Sequence, residues 1–330
     1  IEANIITMTN TDNNTAPTKT LKESDIYDRQ IRLWGAESQA KMKNSKVLYV
    51  NITGTSAEVI KNLVLAGIAA TLCDTRPVEA MADAPHFFSI PKANKKVKYN
   101  SVAHAVKPLV EDLNMLLGDC PILEKSVPDL GEEDLKDYTV IVASQIPLTE
   151  ATRLAQVASK LKKQFYLADC FGYNGAVLAE LGQDYQFRPE QGKKLLDPQP
   201  LKEYLPFQDY VQVPLHQAVN RFHKKPPKVY VLYRCLLEYQ AKTGKFPSQE
   251  EDISIMEDFL KGQEVELDGE HLSKDDLQQL AKAGVAQLPA VCSVLGGMLG
   301  NEIIKVISGK GEPANNTILL DGGLCKAWTF

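Results

Sequence analysis

The chain has 330 residues, of which 37 are basic and 42 are acidic, so its formal net charge is only −5. This length predicts one large domain with a smaller lobe, and the nearly balanced charge gives no sign of binding to nucleic acid or to a membrane surface. Residues 1–20 lack the apolar centre of a signal peptide, and no segment reaches the roughly 18 apolar residues of a membrane span. We therefore predict a soluble intracellular chain with a disordered tail at residues 1–23.

The first elements after this tail are a helix and a βαβ unit. Residues 24–43 have helical periodicity with a break at Gly35. Strand, helix and strand patterns follow at residues 46–51, 57–65 and 69–74.

The loop inside this unit has the sequence Asn-Ile-Thr-Gly-Thr-Ser, in the place where a nucleotide-binding fold has Gly-x-Gly-x-x-Gly. Asn51, Thr53 and Ser56 stand where the glycines are required for close approach of phosphates to the backbone. Asp74 keeps the position of the acid that binds ribose, 20 residues beyond Gly54. We therefore expect that the fold is kept and the nucleotide is lost.

The next elements continue the alternation of strands and helices. Helix, strand, helix and strand patterns occur at residues 102–117, 138–144, 149–162 and 164–170. Pro108 predicts a kink or a new start within the first of these helices. The pattern as a whole predicts an α/β fold, a Rossmann-like doubly wound and mostly parallel sheet covered by helices.

The composition changes near residue 183, and six prolines between residues 191 and 227 indicate a linker. A helical pattern follows at 228–239, and capping-box-like sequences at Ser248 and Ser273 predict two more helices. The chain then has a long helix and a final strand, Pro289–Ser308 and Thr317–Asp321. We predict a disordered tail, a discontinuous main domain and an inserted linker with a small helical lobe, at residues 1–23, 24–182 with 285–330, and 183–284.

Six cysteines lie at positions 73, 120, 170, 235, 292 and 325, and none forms a Cys-x-x-Cys pair. No histidine stands at metal-ligand spacing from them, so we predict no metal site and expect most of them to be reduced core residues. Cys170 follows a strand, where α/β folds gather ligands. Because no His or Lys nearby in the sequence indicates an activated thiol, we interpret Cys170 as a packing residue.

Five segments resemble the adenylation domains of enzymes that activate ubiquitin-like proteins, the ubiquitin-activating-enzyme or ThiF family. The segments are residues 27–35, 61–68, 169–175, 289–305 and 315–322. The nine-residue block that begins Tyr-Asp-Arg-Gln at position 27 is the most specific of them. Over about residues 24–182 and 285–322 the chain is most similar to the smaller, non-catalytic (Aos-type) subunits of heterodimeric SUMO-activating enzymes.

This resemblance implies that the chain is inactive alone and forms an obligate heterodimer with a catalytic SUMO-activating subunit. That subunit would bind Mg–ATP and carry the thioester cysteine, so this chain would bind no cofactor and would meet SUMO only indirectly. The complex would adenylate the C-terminal carboxylate of the modifier and then transfer the modifier to the cysteine. The resemblance also implies a nuclear, or nuclear and cytoplasmic, location.

Arg29 is the catalytic candidate, because in this family the arginine of the Tyr-Asp-Arg-Gln block reaches the phosphates of ATP bound in the other subunit. Its guanidinium is permanently charged, and its fork of donors matches phosphate oxygens in the manner of an arginine finger. From the residues alone, the alternative is a surface arginine paired with Asp25 or Asp28.

Asp74 receives no ligand role. Residues 83–88 keep the aromatic residues of a family segment but lack its phosphate-binding arginine. The alternatives for Asp74 are a turn cap or a pair with Arg76.

Three glycines interrupt the helix predicted at Pro289–Ser308, and each lowers helix stability by about 1 kcal/mol relative to alanine. They are Gly296, Gly297 and Gly300. We expect these glycines to let the helix pack closely against another part of the structure. The chain's own sheet is favoured over a partner subunit as that neighbour.

Two rival functions remain. One is a regulatory subunit for a Nedd-like modifier, which the modest length of the insertion at 183–284 disfavours. The other is an enzyme of a different class, a self-sufficient adenylyltransferase or a Rossmann dehydrogenase, which nucleotide titration of the single chain would distinguish.

Overall fold

The computed structural model describes residues 26–81, 86–88, 98–192, 194–217, 226–247, 253–267 and 271–329. Within these residues seven strands form one sheet with helices on both faces, which confirms the predicted α/β fold. The strands are β1 (Lys46–Val50), β2 (Ala69–Cys73), β3 (Val140–Ala143), β4 (Gln164–Phe171), β5 (Asn174–Glu180), β6 (Thr317–Asp321) and β7 (Lys326–Thr329). The helices are α1 (Asp28–Trp34), α2 (Ala36–Lys43), α3 (Gly54–Leu65), α4 (Val102–Glu111), α5 (Leu148–Lys160), α6 (Phe207–Gln212), α7 (Lys228–Thr243), α8 (Ile253–Gly262), α9 (Lys274–Ala283) and α10 (Pro289–Ser308). Shorter pieces are the helical turns Val78–Met81, Val127–Asp129 and Glu132–Leu135 and the strand pairs Gln186–Phe187 with Gln199–Pro200 and Glu190–Gln191 with Lys194–Leu195.

The strand order is β7-β6-β5-β4-β3-β1-β2. Four neighbouring strands, β2, β1, β3 and β4, are parallel, and the remaining pairs are antiparallel. The carboxyl ends of the four parallel strands therefore lie at one edge of the sheet, which is where doubly wound folds bind their ligands. We refer to this edge as the carboxyl edge.

Strand β1 is buried on both faces, as its uninterrupted apolar sequence requires. Val47 and Tyr49 pack with α3 and α10, whereas Leu48 and Val50 pack in the opposite core with α5 and α7. This alternation gives the sheet two apolar layers and holds the end of β1 rigidly at the carboxyl edge.

Strands β5 and β7 are not among the predicted elements. Strand β5 pairs antiparallel with β4 through a tight turn at Gly172, whose φ of +65° favours glycine. This turn lacks the Asn-Gly or Asp-Gly pair that marks most short hairpins in a sequence. Strand β7 is a mostly exposed edge strand without an alternating apolar pattern.

Three helices differ from their predicted bounds by at least three residues, and one of them, α7, ends at Thr243 instead of 239. Helix α3 begins at Gly54, three residues early, because Thr53 and Ser56 form a capping box before it. Helix α4 continues through Pro108 and ends at Glu111, so the proline neither restarts nor ends it. The chain beyond α4 turns rather than continuing the helix to residue 117.

A buried carboxylate fastens the segment that follows β5. Glu180 Oε1 accepts the hydroxyl of Tyr204 at 2.6 Å and the N–H of Gly182 at 2.9 Å, and its Oε2 accepts the N–H of Phe207 at 2.7 Å.

Of the two predicted capping boxes, the one at Ser273 is present, with Asp276 as its second residue. The one predicted at Ser248 lies outside the described residues, and the proposed domain boundaries stay a prediction.

Helix α10 is long and apolar enough to cross a membrane by length and composition alone, with a mean hydropathy of 1.5. Asn301, Glu302 and Lys305 interrupt the helix, so it does not have the roughly 18 consecutive apolar residues of a membrane span, but its average hydropathy is still high. Half of the window is buried inside the fold, and α10 packs along α3, as expected for a core helix.

The glycines of α10 pack against a helix, not against the sheet. A Cβ atom at Gly296 would lie 2.5 Å from Glu58 Cβ and 3.1 Å from Thr55 O, and one at Gly300 would lie 3.3 Å from Asn62 Cβ, all in α3. Gly297 points away and has no heavy atom of the described residues within 4 Å of its Cβ position. The predicted internal packing is therefore confirmed for two glycines, with α3 as the neighbour.

Candidate functional site

The loop between β1 and α3 is closed by its own hydroxyl groups. The Thr53 N–H donates to Ser56 Oγ at 2.7 Å, and the Ser56 N–H donates to Thr53 Oγ1 at 3.4 Å. Thr53 Oγ1 also lies 2.8 Å from Ser144 Oγ, directly after β3. All three side chains are buried. Two of the residues that replace glycines thus satisfy donors of the first helical turn from within the chain.

Asn51 has a φ of +62°, in the left-handed region that favours glycine and tolerates asparagine. Its N–H donates to Cys73 O at 3.0 Å, and its side-chain Nδ2 donates to Ser144 O at 3.1 Å. The asparagine therefore keeps a glycine-like turn while its side chain ties β1 to β3 across the carboxyl edge.

A side chain from far along the sequence covers the N-terminus of α3. The Gly54 N–H donates to Gln287 Oε1, and a Cβ atom at Gly54 would lie 2.8 Å from Cys292 Sγ. The segment that carries Gln287 is itself fixed at the carboxyl edge, where the Gly172 N–H donates to Ala286 O at 2.8 Å. The position that would receive a phosphate oxygen is thus filled by an amide oxygen.

The carboxylate of Asp74 is fully buried and its oxygens are engaged within the chain. Oδ2 accepts the Ile52 N–H at 2.7 Å, and Arg76 binds both carboxylate oxygens at 2.7 and 2.9 Å. Arg76 also donates to Ile52 O at 3.1 Å. The alternative interpretation of Asp74, a pair with Arg76, is confirmed.

Asp169 forms a second buried carboxylate at the same edge. Its Oδ1 accepts the Gln145 N–H at 2.7 Å and the Ser144 hydroxyl at 3.2 Å, and its Oδ2 accepts the Tyr233 hydroxyl at 2.7 Å. Tyr233 stacks on Phe171 with ring centroids 5.4 Å apart. Burial raises the pKa of Asp169 above its usual value. Sequence patterns did not identify Tyr233, which lies in an apolar stretch of α7.

Cys170 is a packing residue, as predicted. The pKa of its thiol is raised, first by a hydrogen bond with Cys292 and then by burial. A protonated thiol is a poor nucleophile, so this environment does not activate it. Five cysteines are buried, and only Cys325 among the six is exposed.

Arg29 lies away from the carboxyl edge, at the opposite end of α3. Its neighbour Gln30 donates to the carbonyl of Leu65, the last residue of α3, at 3.2 Å. The 12 residues of α3 separate the two ends by about 18 Å at 1.5 Å per residue. Arg29, which is carried by α1, and the loop before α3 therefore lie at opposite ends of α3.

The Arg29 side chain is exposed, and in the described parts of the chain it has no ion-pair partner. Asp28, one of the two alternative partners, instead pairs with Arg32 at 3.0 Å. Asp25 lies outside the described residues. Two apolar residues close to Arg29 in the sequence are also exposed, Ile26 at 45% and Leu33 at 74%. The catalytic role of Arg29 stays a prediction.

Comparison with known proteins identifies the family. The ThiF family model matches residues 27–324. The chain is 31% identical to SUMO-activating enzyme subunit 1B-1 of Arabidopsis thaliana, covering 92% of this chain and 93% of the relative. It is 28% identical to SUMO-activating enzyme subunit 1 of Xenopus laevis, covering 91% and 93%, and 25% identical to that of Dictyostelium discoideum, covering 91% and 90%. The chain therefore belongs to the ThiF family, among the proteins named SUMO-activating enzyme subunit 1.

Proposed function

We propose that this chain is the non-catalytic subunit of a heterodimeric SUMO-activating enzyme and that its partner provides the Mg–ATP site and the thioester cysteine. One observation carries the proposal. The carboxyl edge, where a ThiF-type fold would bind a nucleotide, is filled by the chain's own Gln287, Asp74 and Arg76. A phosphate would have to displace buried hydrogen bonds that are already satisfied, which costs free energy.

Arg29 is the contribution of this chain to the chemistry. Because the neighbouring Gln30 contacts the far end of α3, about 18 Å of helix from the chain's own loop, a role of Arg29 in cis is disfavoured and a role across the subunit interface is favoured. Its guanidinium would stabilise the charge that develops on the phosphates as pyrophosphate leaves. Exposed Ile26 and Leu33 supply apolar surface of the kind that a partner subunit covers.

The test is pyrophosphate exchange by the reconstituted heterodimer with Arg29→Ala. We expect a severe loss of rate with the heterodimer intact, within the ~10³ to 10⁵ that arginine fingers contribute in other phosphoryl-transfer systems. Arg29→Lys should restore the rate only in part, since it keeps the charge but loses the fork.

Arg32→Ala is the matched control, because Arg32 is an exposed arginine of the same helix whose pair with Asp28 is worth little. It should leave the exchange rate near that of wild type. An Arg29→Ala enzyme within a few-fold of wild type would make Arg29 an ordinary surface residue. Exchange supported by a Nedd-like modifier instead of SUMO would favour the rival regulatory subunit.

A further inference from the structure

Asn114, in the turn after α4, joins three parts of the structure with one side chain. Its Nδ2 donates one hydrogen to the Tyr27 hydroxyl and the other to Val64 O, each at 2.7 Å. Its Oδ1 accepts the Leu116 N–H at 3.2 Å. Both amide hydrogens and the amide oxygen are therefore used, which fixes the orientation of the group.

Tyr27 is the residue through which Asn114 reaches α1. Tyr27 is buried, and its carbonyl accepts the Ile31 N–H at 2.8 Å in the first turn of α1. Its ring lies against Gly67, where a Cβ atom would come within 3.0 Å of both Tyr27 Cζ and Oη. Gly67 also has a φ of +88°, so two constraints require glycine there.

Helix α1 needs such support because it has seven residues and none of them is buried. An isolated helix of this length is not stable in water. Its orientation therefore depends on a few contacts: Tyr27 before its first residue, the hydrogen bond from Gln30 to Leu65 O, and Lys310 Nζ, which donates to Trp34 O at 2.7 Å. Arg29 is the second residue of this helix, two positions after Tyr27.

We propose that Asn114 is a positioning residue for Arg29 and that it acts through the Tyr27 hydroxyl. This inference rests on the proposed function of Arg29 across the subunit interface. Catalysis by a positioned charge is sensitive to small displacements, and a shift of 1 Å can cost about 100-fold in rate. The Asn114–Tyr27 contact holds the base of α1 against the end of α3, so that Arg29 presents its fork in one place.

The test uses Tyr27→Phe and Asn114→Ala in the reconstituted heterodimer, each with wild-type Arg29 and with Arg29→Ala. Tyr27→Phe removes only the hydroxyl and keeps the buried ring. With wild-type Arg29, we expect each variant to slow pyrophosphate exchange at saturating ATP by about 10-fold to 100-fold. With Arg29→Ala, we expect no further loss beyond twofold, because the residue that they position is already gone.

Lys107→Ala is the control, since it removes the ion pairs with Asp119 and Glu111 near the same turn without touching Tyr27 or Asn114, and it should not change the rate. Equal loss from Tyr27→Phe in both Arg29 backgrounds would show a general structural role and overturn the inference. Unchanged exchange in Tyr27→Phe, with Arg29→Ala slow, would also overturn it while leaving the role of Arg29 intact. Unchanged exchange in Arg29→Ala would reject the proposed function itself. If Asn114→Ala does not fold, the exchange rates of Tyr27→Phe in the two Arg29 backgrounds are sufficient to test the inference.

Discussion

The amide oxygen of Gln287 lies where helix α3 would otherwise receive an anion. Helix N-termini attract such groups because their first N–H donors have no partner within the helix and carry a partial positive charge. A neutral amide satisfies the Gly54 donor without bringing a net charge into a buried edge. The position is thereby filled at a lower desolvation cost than a phosphate would incur.

Substitution of Gln287 should show how much this contact contributes to stability. We expect Gln287→Ala to lower the free energy of unfolding by about 1–3 kcal/mol, because the buried Gly54 N–H loses its acceptor. Gln287→Glu keeps an acceptor and adds a charge that the helix dipole favours, so it should lose less than the alanine variant. Urea denaturation of wild type, Gln287→Ala and Gln287→Glu measures their order of stability. An alanine variant as stable as wild type would contradict this role of Gln287.

His86 makes the stability of the fold depend on pH. Its Nδ1 accepts the Phe88 N–H at 3.1 Å, which requires the neutral ring, and burial followed by the charge of Arg76 lowers its pKa to about 4. The unfolded chain, with a pKa near 6.5, binds the proton more readily, so stability should fall as the pH decreases from about 6.5 to 4.

The difference of about 2.5 pKa units sets an upper limit of about 3.5 kcal/mol on the loss from this residue, at about 1.4 kcal/mol per unit. Unfolding measured between pH 7 and pH 4 tests it, with His86→Gln as the control that should flatten the curve. An identical pH profile in wild type and His86→Gln would reject His86 as the source.

At the scale of elements, the contact between α10 and α3 depends on Gly296 but not on the adjacent Gly297. Gly296→Ala would place Cβ 2.5 Å from Glu58 Cβ and close to the α3 backbone, so we expect a loss of about 1–3 kcal/mol. Gly297→Ala has open space and should stabilise the isolated chain by up to about 1 kcal/mol. Denaturant midpoints of the two variants decide between them, and equal effects would disprove the close packing.

The same elements show what the sequence could predict. The bounds of α10 and β6 were predicted to the residue, since strong apolar patterns with clear ends specify them. The filling of the former nucleotide loop by Thr53 and Ser56 was also foreseen, because the replacement is local. Gln287 was not, since its contact with Gly54 spans 233 residues and arises only when α10 returns to the sheet. Asn114 and Tyr233 escaped prediction for the same reason.

At the scale of the whole molecule, the filled carboxyl edge predicts the behaviour of the isolated chain. We expect no saturable binding of ATP in calorimetric titration and no ATP–pyrophosphate exchange by this chain alone. The reconstituted heterodimer, titrated in parallel, should bind ATP and serves as the positive control. Micromolar affinity of the single chain for ATP would contradict the prediction and favour a self-sufficient adenylyltransferase.

The hydrogen-bond network at the carboxyl edge also bears on how such a subunit can evolve. Returning glycines to positions 51, 53 and 56 would remove the Thr53 and Ser56 cap and the Asn51 tie, while Gln287 and the Asp74–Arg76 pair would still occupy the space. Single reversions at positions 53 and 56 would therefore lose stability without gaining a ligand, and a benefit would come only after several changes together. Under the proposed function, this network would make recovery of a nucleotide pocket difficult and would keep such a subunit dependent on its partner for ATP chemistry.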